Sequence, residues 1–237
     1  MRNRRLMKLL GMAALLITVN WGLYIWSIVN GHVIDASLGY FINPLVNVAL
    51  GVLVFREKLR RLQWTAVAIA AAGVLFIAVD AHALPWIGLT LGITFSVYGM
   101  LKKMADVDAV ESLTIETILL ILPAASYLIF LWTQGTLAFG SNGISQGIFT
   151  LLAGVATAVP LLAFGAAAVR IPYSTMGIVQ YISPSLQFIV GYLIYHEGMT
   201  VGRWVGFGIV WLALAIFSID ALRHASQTRK IDIAEFD

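Results

Sequence analysis

Apolar residues gather in eight long blocks, at about 8–29, 35–55, 62–80, 84–101, 112–132, 145–169, 173–195 and 202–221. Each is near the roughly 20 residues that cross a bilayer core as a helix. None shows the strict in-out alternation of a membrane β-barrel strand. Backbone polar groups in lipid must be satisfied within the segment, so every block is predicted to be helical. The separators are short and carry turn residues, such as Asn30-Gly31 and Ala83-Leu84-Pro85. The longest, TQGTLAFGSNGIS at 133–145, is neutral. The polar tail RHASQTRKIDIAEFD is expected to fray. The pattern predicts an all-α polytopic membrane protein of about eight transmembrane helices.

Two blocks are related. Residues 41–64 read FINPLVNVALGVLVFREKLRRLQW and residues 181–204 read YISPSLQFIVGYLIYHEGMTVGRW. The skeleton I-x-P-(x6)-G-x-L-(x3)-E-(x6)-W stands in both at an offset of 140, and it continues without a gap through Ile69/Ile209 and Asp80/Asp220. The apolar skeleton is kept while Arg56, Lys58, Arg60 and Arg61 become His196, Gly198, Thr200 and Val201.

The distribution of charge explains that divergence. The chain is 60% hydrophobic and 11% charged, against roughly 25% charged for soluble domains. Of its 15 Lys and Arg, 14 lie in the N-terminus, 56–61, 102–103, 170 and the tail; the opposite set of connections holds only Arg203. Basic residues accumulate on the cytoplasmic side, so both termini are expected there. The second span then runs outside to inside and the seventh inside to outside. The offset covers five helices, an odd number, so the repeats have inverted topology. The expected domains are 1–80 (a three-helix first repeat), 81–222 (a five-helix second repeat) and the cytoplasmic tail 223–237. Helices four and five have no earlier counterparts, so the first repeat reads as lacking two helices, through an internal start or natively. The basic flank before the first block resembles a signal peptide, but no small-residue cleavage site follows, and an uncleaved helix is expected.

Inverted repeats are a frequent device of secondary transporters, which rock two halves around a midplane site. Tyr40, Asn43 and Asn47 stand at i, i+3 and i+7, one helical face. Their repeat mates are Gln180, Ser183 and Gln187. Pro44 and Pro184 sit mid-span and should kink their helices, freeing the carbonyls of Tyr40 and Gln180. Two kinked helices with polar stripes make a candidate substrate cavity; the alternative is that the amides tie helix to helix. Asn20, Trp21 and Tyr24 are further candidates for the cavity wall, and Trp26 fits the aromatic belt.

Glu116 is the one carboxylate inside an apolar run, LTIETILLILP. Intramembrane acids are costly and often functional, which makes it a candidate coupling residue. The competing expectation is an interfacial ion pair with Lys102 or Lys103. Glu57 and Glu197 recur at equivalent helix ends, where an interfacial salt bridge is expected for Glu57. The small-xxx-small patterns Gly88/Gly92 and Gly202/Gly206 should permit close helix contact.

Motifs for enzymatic chemistry are missing. His196-Glu197 starts an H-E-x-x-H pattern, but position 200 is Thr. There is no P-loop and no cysteine, and the four histidines are scattered. No catalytic residue, metal or cofactor is expected. The basic loops fit orientation and contact with anionic membrane lipids rather than nucleic acid.

The stretches NWGLYIWSIVNGHVIDASLGYFINPLVNVALGVLVFREKLRRLQW, LTIETILLILP, IPYSTMGIVQYISPSLQF and WLALAIFSIDAL together resemble the RarD branch of the EamA-type drug/metabolite transporters. The resemblance covers nearly the whole chain. It implies a bacterial inner-membrane protein of a ten-helix, two-repeat family, here without the first two helices. The expected function is secondary-active transport of a small metabolite or drug-like molecule by alternating access between 1–80 and 81–237. A homodimer is an open assembly, and the rival reading is a non-transporting membrane scaffold or regulatory subunit.

Overall fold

The structure, a computed structural model, describes residues 2–80, 86–137, 144–183, 185–186 and 201–234. Among these residues it is wholly helical: α1 (Arg2–Val29), α2 (Val33–Leu53), α3 (Arg61–Asp80), α4 (Trp86–Ala105), α5 (Ala109–Thr133), α6 (Ile144–Arg170), α7 (Tyr173–Val179) and α8 (Val201–Ala234). α1, α3, α5 and α6 contain the four described segments long and apolar enough to cross a membrane by themselves. The chain is an α-helical, multi-pass membrane protein.

Local sequence sets the helix ends. α1 stops where Gly31 takes φ 79°, with Gly31 N–H donating to Ile28 O and His32 N–H to Ser27 O, the paired bonds of a Schellman cap. α5 ends the same way at Gly135, whose φ is 67°. It begins with Asp108 accepting from Val110 N–H at 2.9 Å and carries Glu111 in its first turn, a cap and a charge that both suit a helix N-terminus.

Two expectations about helix length need correction. The last span does not end at 221: α8 continues to Ala234; no Gly or Pro follows Gly208, so nothing in the local sequence breaks the helix. The seventh span does not begin as one long helix. α7 has 7 residues and gives way at Gln180, where Ser183 N–H reaches back three residues to Gln180 O. The interruption falls at the carbonyl that a kink at Pro184 is expected to free; Pro184 itself lies outside the described residues. α2, by contrast, runs unbroken through Pro44.

The chain forms two compact units, whose boundaries fall inside α1 and α4. The first comprises Met1–Val19 and Val97–Ile171. Within it Tyr98 stacks on Phe164 with centroids 6.1 Å apart. Lys103 Nζ donates to the carbonyls of Ala168 and Ile171 at 3.0 and 2.7 Å, a cation satisfying the C-terminal end of α6.

The second unit comprises Asn20–Ser96 and Pro172–Asp237. It holds two pairs of repeat-related helices, α2 with α7 and α3 with α8. α3 and α8 run antiparallel: the Arg60 guanidinium reaches Asp220, a Cβ on Gly73 would meet Ile209 and Val210, and one on Gly206 would meet Ile77. α2 and α7 are antiparallel too, with Gly51 against Ser174 and Gly177 against Pro44 and Asn47. Opposite running directions for repeat mates are what inverted topology requires. The buried face of α3, with Ala66, Ala70, Gly73 and Ile77, is matched 140 residues on by Gly206, Val210, Ala213 and Phe217, also buried. The apolar skeleton therefore persists because both copies bury the same face. Small residues at these positions bring the backbones close, the usual device where lipid supplies no hydrophobic drive for helix association. Phe41 and Val48 of α2, Ile178 of α7 and Tyr181 complete this core. Gly39 of α2 also packs on Gly88, and Gly92 on Asn43 N and Gly39 O, so the Gly88/Gly92 pattern makes the close contact expected of it.

Candidate functional site

α2 presents Tyr40, Asn43 and Asn47 along one face. Asn43 is buried and Asn47 is 0% exposed. The Asn47 amide donates to Asn43 Oδ1 at 2.9 Å and to Gln180 Oε1, where α7 ends. Three carboxamides from two antiparallel helices thus meet at one point. Asn47 Oδ1 has no hydrogen-bond partner among the described residues, nor does the Tyr181 hydroxyl next to Gln180 in sequence. A buried carbonyl oxygen left unpaired costs roughly 1–3 kcal/mol. The site therefore holds an acceptor able to take an N–H or O–H donor. Ser96 Oγ, 0% exposed, donates to Asn43 O at 3.2 Å and ties α4 to the same stripe.

The remaining candidates divide. Trp21, Tyr24 and Tyr40 form a run of edge-on rings, with centroids 6.1 Å apart at each step, so the aromatic cluster of α1 continues onto the stripe of α2. Asn20 finds its partners on α4, donating to Leu91 O at 2.9 Å and Thr94 Oγ1 at 2.8 Å. Ser183 is exposed and is not joined to the carboxamides. Gln187 lies outside the described residues. Trp26 is exposed and stacks on His32 at 5.6 Å.

Glu116 belongs to the other unit. Lys102 Nζ lies 2.8 Å from Glu116 Oε1, both side chains 2% exposed. Ser112 Oγ donates to the same oxygen at 2.9 Å and the Tyr98 hydroxyl to Oε2 at 3.2 Å. Gly165 of α6 leaves room for the lysine stem, since a Cβ there would come within 3.1 Å of Lys102 Cε. The expected partner is present, but the pair is not an exposed interfacial one: α4, α5 and α6 enclose it. Burial costs each ion several kcal/mol, and only a well-bonded partner offsets that.

Among the described residues Glu57 makes no salt bridge with its cationic sequence neighbours. Instead its Oε1 accepts from Tyr173 N–H at 2.6 Å, and its Oε2 from Ser174 N–H at 2.9 Å and Ser174 Oγ at 2.6 Å. The carboxylate caps α7, whose own N-cap residue, Pro172, has no side chain able to do so. Sequence reasoning misses this contact. The available signal is a helix opening on Pro-Tyr-Ser after an arginine, with no local acceptor for its first N–H groups. No group of His, Cys, Asp and Glu among the described residues is arranged to hold a metal.

The profile of the EamA-like transporter family matches residues 2–79. The chain is 48% identical to protein RarD of Streptomyces exfoliatus, over 97% of this chain and 73% of that protein. It is 42% identical to protein RarD of Escherichia coli strain K12, over 94% of this chain and 75% of the relative. It is also 30% identical to a Pseudomonas aeruginosa protein named chloramphenicol-sensitive protein RarD, over 90% of this chain and 70% of that one.

Proposed function

Because this chain belongs to the RarD-type members of the EamA-like transporter family, and so is a membrane transporter, we propose that it is a secondary-active carrier of a small metabolite or drug-like molecule, working by alternating access. The observation that carries this reading is the meeting of Asn43, Asn47 and Gln180 between antiparallel repeat mates. A carrier needs one site that two inverted repeats can expose in turn. A polar cluster shared by α2 and α7, flanked by the rings of Trp21, Tyr24 and Tyr40, has that character. The spare Asn47 Oδ1 suits a neutral ligand with an N–H or O–H donor. Chloramphenicol, which the name of one relative mentions, is such a molecule and a practical first probe.

In this proposal the protein sits in the inner membrane with both termini cytoplasmic, the basic loops against anionic lipid, and 1–80 and 81–222 are unequal EamA repeats followed by the tail 223–237. Glu116, held by Lys102, is the proposed coupling group. A homodimer is compatible with it. The complete burial of Asn47 favours a second reading, in which the carboxamides hold α2 to α7 and do nothing else. Asn47→Leu separates the two: loss of substrate exchange by a folded, membrane-inserted variant supports the site, and loss of folding alone supports the tie.

A further inference from the structure

Glu57 makes three hydrogen bonds to residues 116 and 117 positions away. Several features of the local structure allow it to do so. Arg56 takes the left-handed conformation, with φ 56°, which turns the chain after α2. Glu57 N–H then returns to Gly51 O at 3.0 Å. Gly51 has no room for a side chain, because a Cβ would come 2.8 Å from Glu57 Oε2 and 2.9 Å from Ser174 N. Tyr173, fully buried, is fixed a second time as its hydroxyl donates to Ser96 O at 2.5 Å, and Phe55 packs on its ring at 5.6 Å.

Following α7 from this anchor leads to the candidate site. One turn on, Gly177 lies so close that a Cβ would sit 2.6 Å from Pro44 O and 2.8 Å from Asn47 Cβ. At the next turn the helix ends at Gln180, bonded to Asn47. Among the described residues, the polar attachments between α7 and the segment from α2 to α3 include the Asn47–Gln180 contact and the three Glu57 bonds. We infer that Glu57 is a positioning residue for the carboxamide cluster: its carboxyl group clamps the N-terminal end of α7 to the α2–α3 connection and so sets Gln180 against Asn47. The inference rests on the substrate reading above for its functional meaning, but its geometry can be tested without a substrate. The flanking cations Arg56 and Lys58 are exposed, Arg60 is engaged by Asp220, and the carboxylate is committed to the α7 donors.

The natural absence of cysteine makes the test direct. In the full chain in lipid nanodiscs, hydrogen exchange over residues 173–180 is compared between the parent, Glu57→Gln and Ser174→Ala. Glu57→Gln should speed exchange there by about tenfold or more, and Ser174→Ala, which removes one bond, by a smaller factor of about three. In parallel, an Asn47→Cys/Gln180→Cys pair is cross-linked with a short bifunctional methanethiosulfonate, with Glu57 intact or replaced. Cross-linking should be fast with Glu57 and fall about tenfold with Glu57→Gln. Unchanged exchange and cross-linking in Glu57→Gln would overturn the inference. So would an equal rise in exchange across 109–133 and 144–170, which would make Glu57 a general stabiliser. If Glu57→Gln does not fold, the same readings on Ser174→Ala decide. Should Asn47→Leu transport normally while these results hold, the substrate reading fails and the positioning role stands.

Discussion

Lys102 and Glu116, 14 positions apart on neighbouring helices, form an ion pair at 2.8 Å in which each side chain is 2% exposed. An exposed pair would be worth at most about 1 kcal/mol; a buried one behaves differently, because removing one partner strands the other charge. Glu116→Gln or Lys102→Met alone should therefore destabilise the purified protein by about 3–5 kcal/mol. The double variant should recover most of that, as two uncharged side chains leave no ion unpaired. A double-mutant cycle by denaturant unfolding in detergent measures this, and additive losses would show that the two groups do not interact. If the pair also carries the coupling proton, Glu116→Gln should continue substrate exchange between equal pools while uphill uptake in a pH gradient stops.

Gly177 and Gly208 give contrasting expectations. A methyl group at Gly177 meets the backbone carbonyl of Pro44, which cannot rotate away, so Gly177→Ala must push α2 and α7 apart. A loss of about 1–3 kcal/mol is expected from such overpacking. Gly208 faces open space, and Gly208→Ala should be neutral or slightly stabilising through helix propensity. Gly206→Ala should also destabilise, since a Cβ there would come 2.3 Å from Cγ1 of Ile77, a β-branched side chain largely held to one χ1 rotamer in a helix. Melting temperatures of the three variants in one detergent check the order.

The topology prediction uses the cysteine-free background. Lys58 and Gln134 are both exposed in connections between helices. A single Lys58→Cys should be labelled by a membrane-impermeant maleimide only in inverted vesicles, and a single Gln134→Cys in intact cells with a permeable outer membrane. The opposite pattern would reverse the orientation inferred from the basic residues.

The helices and the repeat are legible in the sequence because both rest on periodic apolar burial. Ala66, Ala70 and Gly73 predict the buried face of α8 through Gly206, Val210 and Ala213, an offset visible without coordinates. The polar stripe is legible in part. Asn43 and Asn47 share a face by spacing alone, but that Asn47 bonds Gln180, rather than facing a cavity with Tyr40, depends on how far α7 slides along α2. Ser183 falls away because α7 breaks at Gln180 and its helical spacing does not carry across the turn at Gln180–Tyr181. Glu57 misleads for a general reason: its neighbours in sequence are cations, while its partners are backbone N–H groups more than a hundred residues away. Lys102 reads as interfacial because it follows an apolar run; it is buried against Glu116 of α5 and Gly165 of α6, which its position in sequence does not reveal.

Whether the carboxamide cluster is a transport site is decided by substrate exchange in proteoliposomes, on the parent and on Asn47→Leu. Radiolabelled chloramphenicol and a panel of neutral, hydrogen-bond-donating metabolites serve as probes. Interhelical hydrogen bonds in membranes average only about 0.6 kcal/mol, so Asn47→Leu should remain folded, as its melting curve and membrane insertion can verify. The parent should exchange at least one probe above the level of protein-free liposomes, and Asn47→Leu should not. Exchange by Asn47→Leu at the parental rate, or no exchange of any probe by the parent, would contradict the proposed site.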